Sequence, residues 1–169
     1  MPRKFLLAMP IIAITGLLAL LIAQAANNNK VQKDNRQQLQ LPFEAIEFKD
    51  IATPILRTNS PTVLVFFNPD CAFCSYEAQA FQENIAAFAQ SNLVFVSAAP
   101  KAEVVNFAHT YQLAGKAIFM HDANGLSDEQ FGIKSVPSLL IYNAEGQLLK
   151  HFKGETKIEA VLEVLESGV

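Results

Sequence analysis

The chain has 169 residues, 51% of them hydrophobic and only 17% charged, so it is folded over most of its length and sized for one domain with an appendage. A formal net charge of −3 argues against a nucleic-acid partner, which requires a basic face. Two cysteines are too few for a disulfide scaffold or a four-cysteine zinc site.

In chain order, Arg3 and Lys4 lead into FLLAMPIIAITGLLALLIA, a run from Phe5 to Ala23 without a charged side chain. A helix of that length nearly crosses a hydrocarbon core of about 30 Å. The run is longer than the roughly 7–15 apolar residues of a cleaved leader, whereas Ala23-Gln24-Ala25 has the small-x-small pattern of a cleavage site. Pro10 and Gly16 also weaken the helix. Residues 1–25 are therefore expected to be a signal-anchor, favoured over a cleaved signal peptide. A buried helix of a soluble protein fits poorly, because the run is apolar on every face. In either case the remainder is exported, with 11 basic and 16 acidic residues beyond Arg3 and Lys4 and a net charge of −5. Lys30, Lys33 and Arg36 on the far side weaken the charge bias that orients the segment. The exported part is expected to face an oxidising compartment, where two cysteines could pair.

Residues 26–41 are rich in Asn and Gln and read as a solvated linker. Residues 42–169 form the expected folded domain. Thr62 to Phe67 is a continuous β-branched and aromatic run, the pattern of a strand buried on both faces, and Pro69 stops it. Helical spacing runs from Ser75 to Gln90, a second buried strand from Leu93 to Ala98, and a second helix from Glu103 to Gln112. Ala117–Met120 is a candidate short strand and Ser127–Phe131 a short helix. Ser138–Tyr142 and Gln147–Phe152 flank Asn143-Ala144-Glu145-Gly146 as a hairpin, and Lys157–Glu166 carries an apolar stripe of Ile158, Val161, Leu162 and Leu165. The alternation predicts an α/β fold: a mixed central sheet with helices on both faces.

The cysteines lie at Cys71-Ala72-Phe73-Cys74, between a buried strand and a long helix. Unpaired amides and the helix dipole there favour a thiolate, the attacking species in disulfide exchange. Cys71, at the mouth, is the expected nucleophile; Cys74, one turn in, is placed to resolve a mixed disulfide. A structural bridge over so short a loop would remove little chain entropy. A metal site would need further ligands, and His109, His121 and His151 have no ligand-like spacing to the pair; they read as surface or turn residues. No Gly-rich phosphate loop occurs, and neither a metal nor a cofactor is expected.

The stretch Val63–Cys74 resembles the strand–CxxC–helix of the thioredoxin superfamily, and Phe131–Gly146 resembles its cis-proline segment and following hairpin. Gly154 also falls where that superfamily often has glycine. The resemblance covers roughly residues 55–168. It implies a cis Pro137 lying against the cysteine pair, and a Val136 backbone to which an extended substrate can pair. The chain departs from ordinary thioredoxins in carrying Asp70 before the first cysteine, Ala72-Phe73 between the two, and Val65 at the position of the buried proton-handling Asp. Glu77 sits where exported thioredoxin-like proteins of cytochrome maturation often carry Glu, and could accept the proton of Cys74. A solvated helix residue is the alternative for Glu77.

The resemblance implies a membrane-tethered thiol–disulfide oxidoreductase on the extracytoplasmic side of a bacterial inner membrane. It would act as a reductant of exported proteins such as apocytochrome c, on protein disulfides or thiols, and draw electrons from a membrane donor. The other readings are a copper-binding or assembly factor without turnover and a thiol peroxidase. Copper-delivery relatives usually have three residues between the cysteines. Peroxide-reducing relatives need Thr or Ser and Arg near the reactive Cys, which Asn68-Pro69-Asp70 does not supply.

Overall fold

The computed structural model describes Leu39 and residues 41–168. The apolar run at residues 5–23 and most of the polar linker lie outside the described residues, among which no helix is long and apolar enough to cross a membrane.

Six strands form one sheet in the order β1-β4-β3-β2-β5-β6. They are β1 (Glu44–Ala45), β2 (Thr62–Phe66), β3 (Asn92–Ser97), β4 (Ile118–His121), β5 (Ser138–Tyr142) and β6 (Leu148–Lys153). The central strand β2 is buried along its whole length, as its unbroken apolar run requires. It runs parallel to β3 and antiparallel to β5, with Phe66 opposite Val96 on one side and Ser138 on the other. β3 is parallel to β4, and β5–β6 is the expected hairpin. The two-residue β1, too short for any periodic signal, was not expected; it pairs antiparallel with β4.

The described residues form four α-helices: α1 (Ala72–Glu83), α2 (Lys101–Thr110) and α3 (Leu126–Phe131) between strands, and α4 (Ile158–Ser167) after β6. α1 begins and ends earlier than the expected Ser75–Gln90. Its N-terminus is set by Cys71, and its C-terminus by Asn84, whose amide and side chain both donate to Ala80 O. The chain then continues as a short 3-10 turn, Ile85–Phe88, which keeps Phe88 against Phe81. α2 starts two residues before its expected boundary, directly after Pro100, whose carbonyl accepts the first helical hydrogen bonds. His121 and His151 lie half-buried in β4 and β6 rather than in turns.

Strand alternation divides the core into two layers. Val63, Val65, Phe67, Phe95, Phe119 and Leu139 face α1, α2 and α4. Leu64, Phe66, Val94, Val96 and Leu140 face the other way, where the cover is thinner: α3, Phe43, and partly buried Leu39, Leu41 and Leu56. Leu39 and Leu41 fall within the segment read from sequence as linker. The helical layer is built on phenylalanine, and Phe67 contacts Phe95, Phe107 and Phe119. Each fully buried ring contributes roughly 1.5–3 kcal/mol, and here they anchor the end of β2 just before the cysteines.

Candidate active site

β2 ends in Asn68-Pro69-Asp70. Asn68 Oδ1 accepts the Asp70 amide at 2.9 Å and Asn68 O accepts the Cys71 amide at 3.1 Å, a turn that aims the chain into α1. Cys71 is the N-cap of that helix, with φ −88° and ψ 117°, and its Sγ accepts the Cys74 amide at 3.4 Å. The sulfur thus takes the place of the Ser or Asp oxygen that usually satisfies an open amide at a helix start. Both that N–H and the helix dipole stabilise negative charge on it. Cys71 is half-buried, with Sγ 3.9 Å from Val136 O.

Cys74 has a different environment. It is 1% exposed, and its thiol is pushed up to about 12. Burial is the main cause, followed by the hydrogen bond with Cys71 and the charges of Cys71 and Glu77; the Asn68 backbone opposes the rise. Cys74 therefore stays protonated at neutral pH, leaving Cys71 as the accessible attacking sulfur. The Cys71 contributions are lifted once that residue enters a mixed disulfide, which eases ionisation of Cys74 when it must react.

Glu77, one turn beyond Cys74, is 2% exposed, which excludes the solvated alternative. Burial raises its carboxyl to about 7; the Thr156 amide, which donates to Oε2 at 3.1 Å, opposes the rise, and the Glu155 charge adds to it. Oε1 is buried without a hydrogen-bond partner. This is a carboxylate that can take and release a proton near neutrality.

Across the site the Val136–Pro137 peptide is cis, Pro137 is buried, and Val136 is exposed beside Cys71. The structure therefore places all five residues singled out from sequence on two adjoining elements, Cys71, Cys74 and Glu77 on α1 and Val136-Pro137 leading into β5. A third element joins them. In the β6–α4 loop, Gly154 donates to Pro137 O at 2.8 Å while the Thr156 amide holds Glu77. Glu155 and Thr156 escaped the sequence reading because a contact across 79 positions leaves no local signal; Gly154 was the one pointer to this loop.

Two further features flank the CxxC turn. Phe73 and Tyr76 are exposed at 58% and 60%, an apolar pair on the outer side of α1. A cleft of about 470 Å³ opens on the other side, lined by Phe66, Asn68, Val96, Asp122, Ile133 and Val136. Among the described residues no group of three His, Cys, Asp or Glu is arranged to hold a metal ion.

Residues 48–168 match the family model of the thioredoxin-like domain. No curated protein sequence matches the chain. Several solved structures resemble it. StoA from Bacillus subtilis is 23% identical with a TM-score of 0.58, over 72% of this chain and 92% of StoA. A secreted Mycobacterium tuberculosis disulfide oxidoreductase homologous to E. coli DsbE is 20% identical with a TM-score of 0.57, over 65% of this chain and 83% of that one. The peroxidoxin BcpB from Mycobacterium tuberculosis is 21% identical with a TM-score of 0.56, over 64% and 79%. At these identities the likeness shows the fold alone, and the fold carries more than one chemistry. The family model covers most of the chain and takes in the CxxC pair, the cis-proline and the hairpin: the chain belongs to the thioredoxin-like family.

Proposed function

We propose that this protein is an exported, membrane-tethered thiol–disulfide oxidoreductase that reduces disulfides in exported proteins, apocytochrome c among them. The Cys71 thiolate attacks a substrate disulfide, forming a mixed disulfide and releasing the first substrate sulfur as thiolate. Cys74 then passes its proton to Glu77, and the new thiolate attacks Cys71 Sγ. A Cys71–Cys74 disulfide forms, the second substrate sulfur leaves with the bond's electron pair, and the substrate has gained two electrons. A membrane dithiol donor returns the pair to the reduced state.

The observation that carries this reading is the asymmetry of the two sulfurs: one capping α1 beside an exposed Val136, the other buried and protonated one helical turn from the buried Glu77. The reducing direction is supported by the environment of Cys74. At Cys74, burial and the charges of Cys71 and Glu77 withhold the thiolate stabilisation that would raise the reduction potential. Export and tethering are supported by the apolar run at residues 5–23 behind Arg3 and Lys4. The secreted DsbE homologue among the similar structures fits the same reading.

The test is the Cys71–Cys74 potential, measured by alkylation mass shift in graded thiol–disulfide buffers. A value close to the thioredoxin level of about −270 mV is expected, and one near about −120 mV would make the protein an oxidant instead. A pair that resists reduction until the domain unfolds would overturn the redox reading. In a separate turnover assay with a disulfide substrate and a dithiol reductant, Cys71→Ser should abolish turnover, and Cys74→Ser should accumulate mixed disulfides with substrate.

A further inference from the structure

The β6–α4 loop closes directly over the acceptor carboxylate. Gly154 adopts φ +86°, open to glycine and strained for other residues, and this turns its N–H onto Pro137 O. Thr156 Oγ1 donates back to Gly154 O at 3.1 Å, folding the loop on itself. The peptide between Glu155 and Thr156 then presents its N–H to Glu77 Oε2, the one hydrogen bond this buried carboxylate receives among the described residues. The charged and titratable groups around Glu77 are few. From its own helix comes Cys74, and from the loop comes the exposed side chain of Glu155. The sheet residues that pack with α1, Val65 and Leu139 among them, belong to an apolar cluster. Lys153 and Lys157, at the two ends of the loop, are exposed and form no ion pair with Glu77 among the described residues.

We propose that Glu155 and the Glu155–Thr156 peptide are the outer half of the proton-acceptor site: the peptide positions the Glu77 carboxylate, and the adjoining Glu155 charge tunes how readily that carboxylate takes the Cys74 proton. This rests on the redox reading above. A negative charge beside a carboxylate disfavours its ionised form and so strengthens its hold on a proton. Glu155 touches neither sulfur and acts through Glu77, as a positioning residue. Its exposure makes the effect solvent-screened, which supplies a signature that a merely structural role lacks.

The experiment uses the full-length chain in mild detergent and an aromatic disulfide that liberates a coloured thiolate. The first equivalent is released when Cys71 forms the mixed disulfide, and the second when Cys74, having lost its proton, resolves it. The rate of the second release is followed from pH 5 to 8.5. In the wild type it should rise through the Glu77 titration near pH 7. Glu155→Gln should move this rise lower by about 0.3–0.5 pH unit at low ionic strength, and Glu155→Lys further in the same direction. Both displacements should shrink in about 1 M salt, where the screening length is about 3 Å. Glu77→Gln should remove the inflection altogether. Profiles for Glu155→Gln and Glu155→Lys that coincide with the wild type, or move upward, overturn the inference and leave the redox reading standing. A wild-type chain that releases only one equivalent overturns the redox reading itself, and the inference with it.

Discussion

Replacing Glu77 with Gln separates the protonation of this carboxylate from its shape. In the folded protein its proton affinity rises from the ordinary 4.5 to about 7, while the unfolded chain keeps the ordinary value. Between those two limits the native state binds more protons than the unfolded state, so stability falls as pH rises from about 4.5 to about 7. At about 1.4 kcal/mol per pH unit, the full loss is about 3 kcal/mol, with little solvent discount because Glu77 is 2% exposed. Gln keeps an oxygen for the Thr156 amide and cannot ionise. Whatever Gln costs at pH 4.5 through its own unpaired amide group is constant with pH. The quantity to read is therefore the difference between variant and wild type across the range. Urea unfolding of a fragment spanning residues 27–169, under reducing conditions and below pH 8.5, should show Glu77→Gln gaining on the wild type by about 3 kcal/mol from pH 4.5 to pH 8. A difference that stays flat within about 0.5 kcal/mol would falsify the burial account of Glu77.

Four other substitutions probe other parts of the molecule. Asp122 is raised by burial, but the Ser127 hydroxyl and the Leu126, Ser127 and Gly125 amides outweigh this and lower it overall. Its stabilising contribution is present above the ordinary value of 3.8 and lost as pH falls below it, so Asp122→Ala should cost about 1–2 kcal/mol at pH 7 and flatten the acid limb of the stability curve. Phe81→Ala empties a fully buried position under α1 and should cost about 3–5 kcal/mol in denaturant midpoint, loosening the helix that carries both cysteines. Phe73→Ser and Tyr76→Ser remove exposed rings and should leave stability within about 0.5 kcal/mol. With unfolded, disulfide-bonded substrates they should raise KM about fivefold relative to a small disulfide, because those rings flank the CxxC turn; equal KM ratios would show that the rings play no part in docking.

Much of the fold is legible in the residues themselves. The run Thr62–Phe67 can only be a strand covered on both faces, and Pro69 must end it. A CxxC placed after such a strand falls at a helix start, where local backbone physics alone favours a thiolate on Cys71. Ser138–Tyr142 and the turn after it specify a hairpin through a short apolar run and turn chemistry. These features depend on neighbours within a few positions. Helix boundaries were less legible: nothing in the spacing of Ser75–Gln90 distinguishes α1 from the 3-10 turn after it, because the Asn84 side chain decides between them by bonding Ala80 O.

What tertiary structure alone decides is the environment of each polar group. The sequence places Glu77 one turn past Cys74 but leaves open whether it meets water; the packing of α1 on β2 and β5 buries it, and burial is what brings it to neutrality. A hydrogen bond reaches it from Thr156, across 79 positions, and the same loop fastens to Pro137. Local propensity and periodicity act over one or two turns, whereas solvent exclusion is a property of all the elements packed around a site. The reactive sulfur of this protein is determined by its own helix, and the group that can take its partner's proton is made by the fold around it.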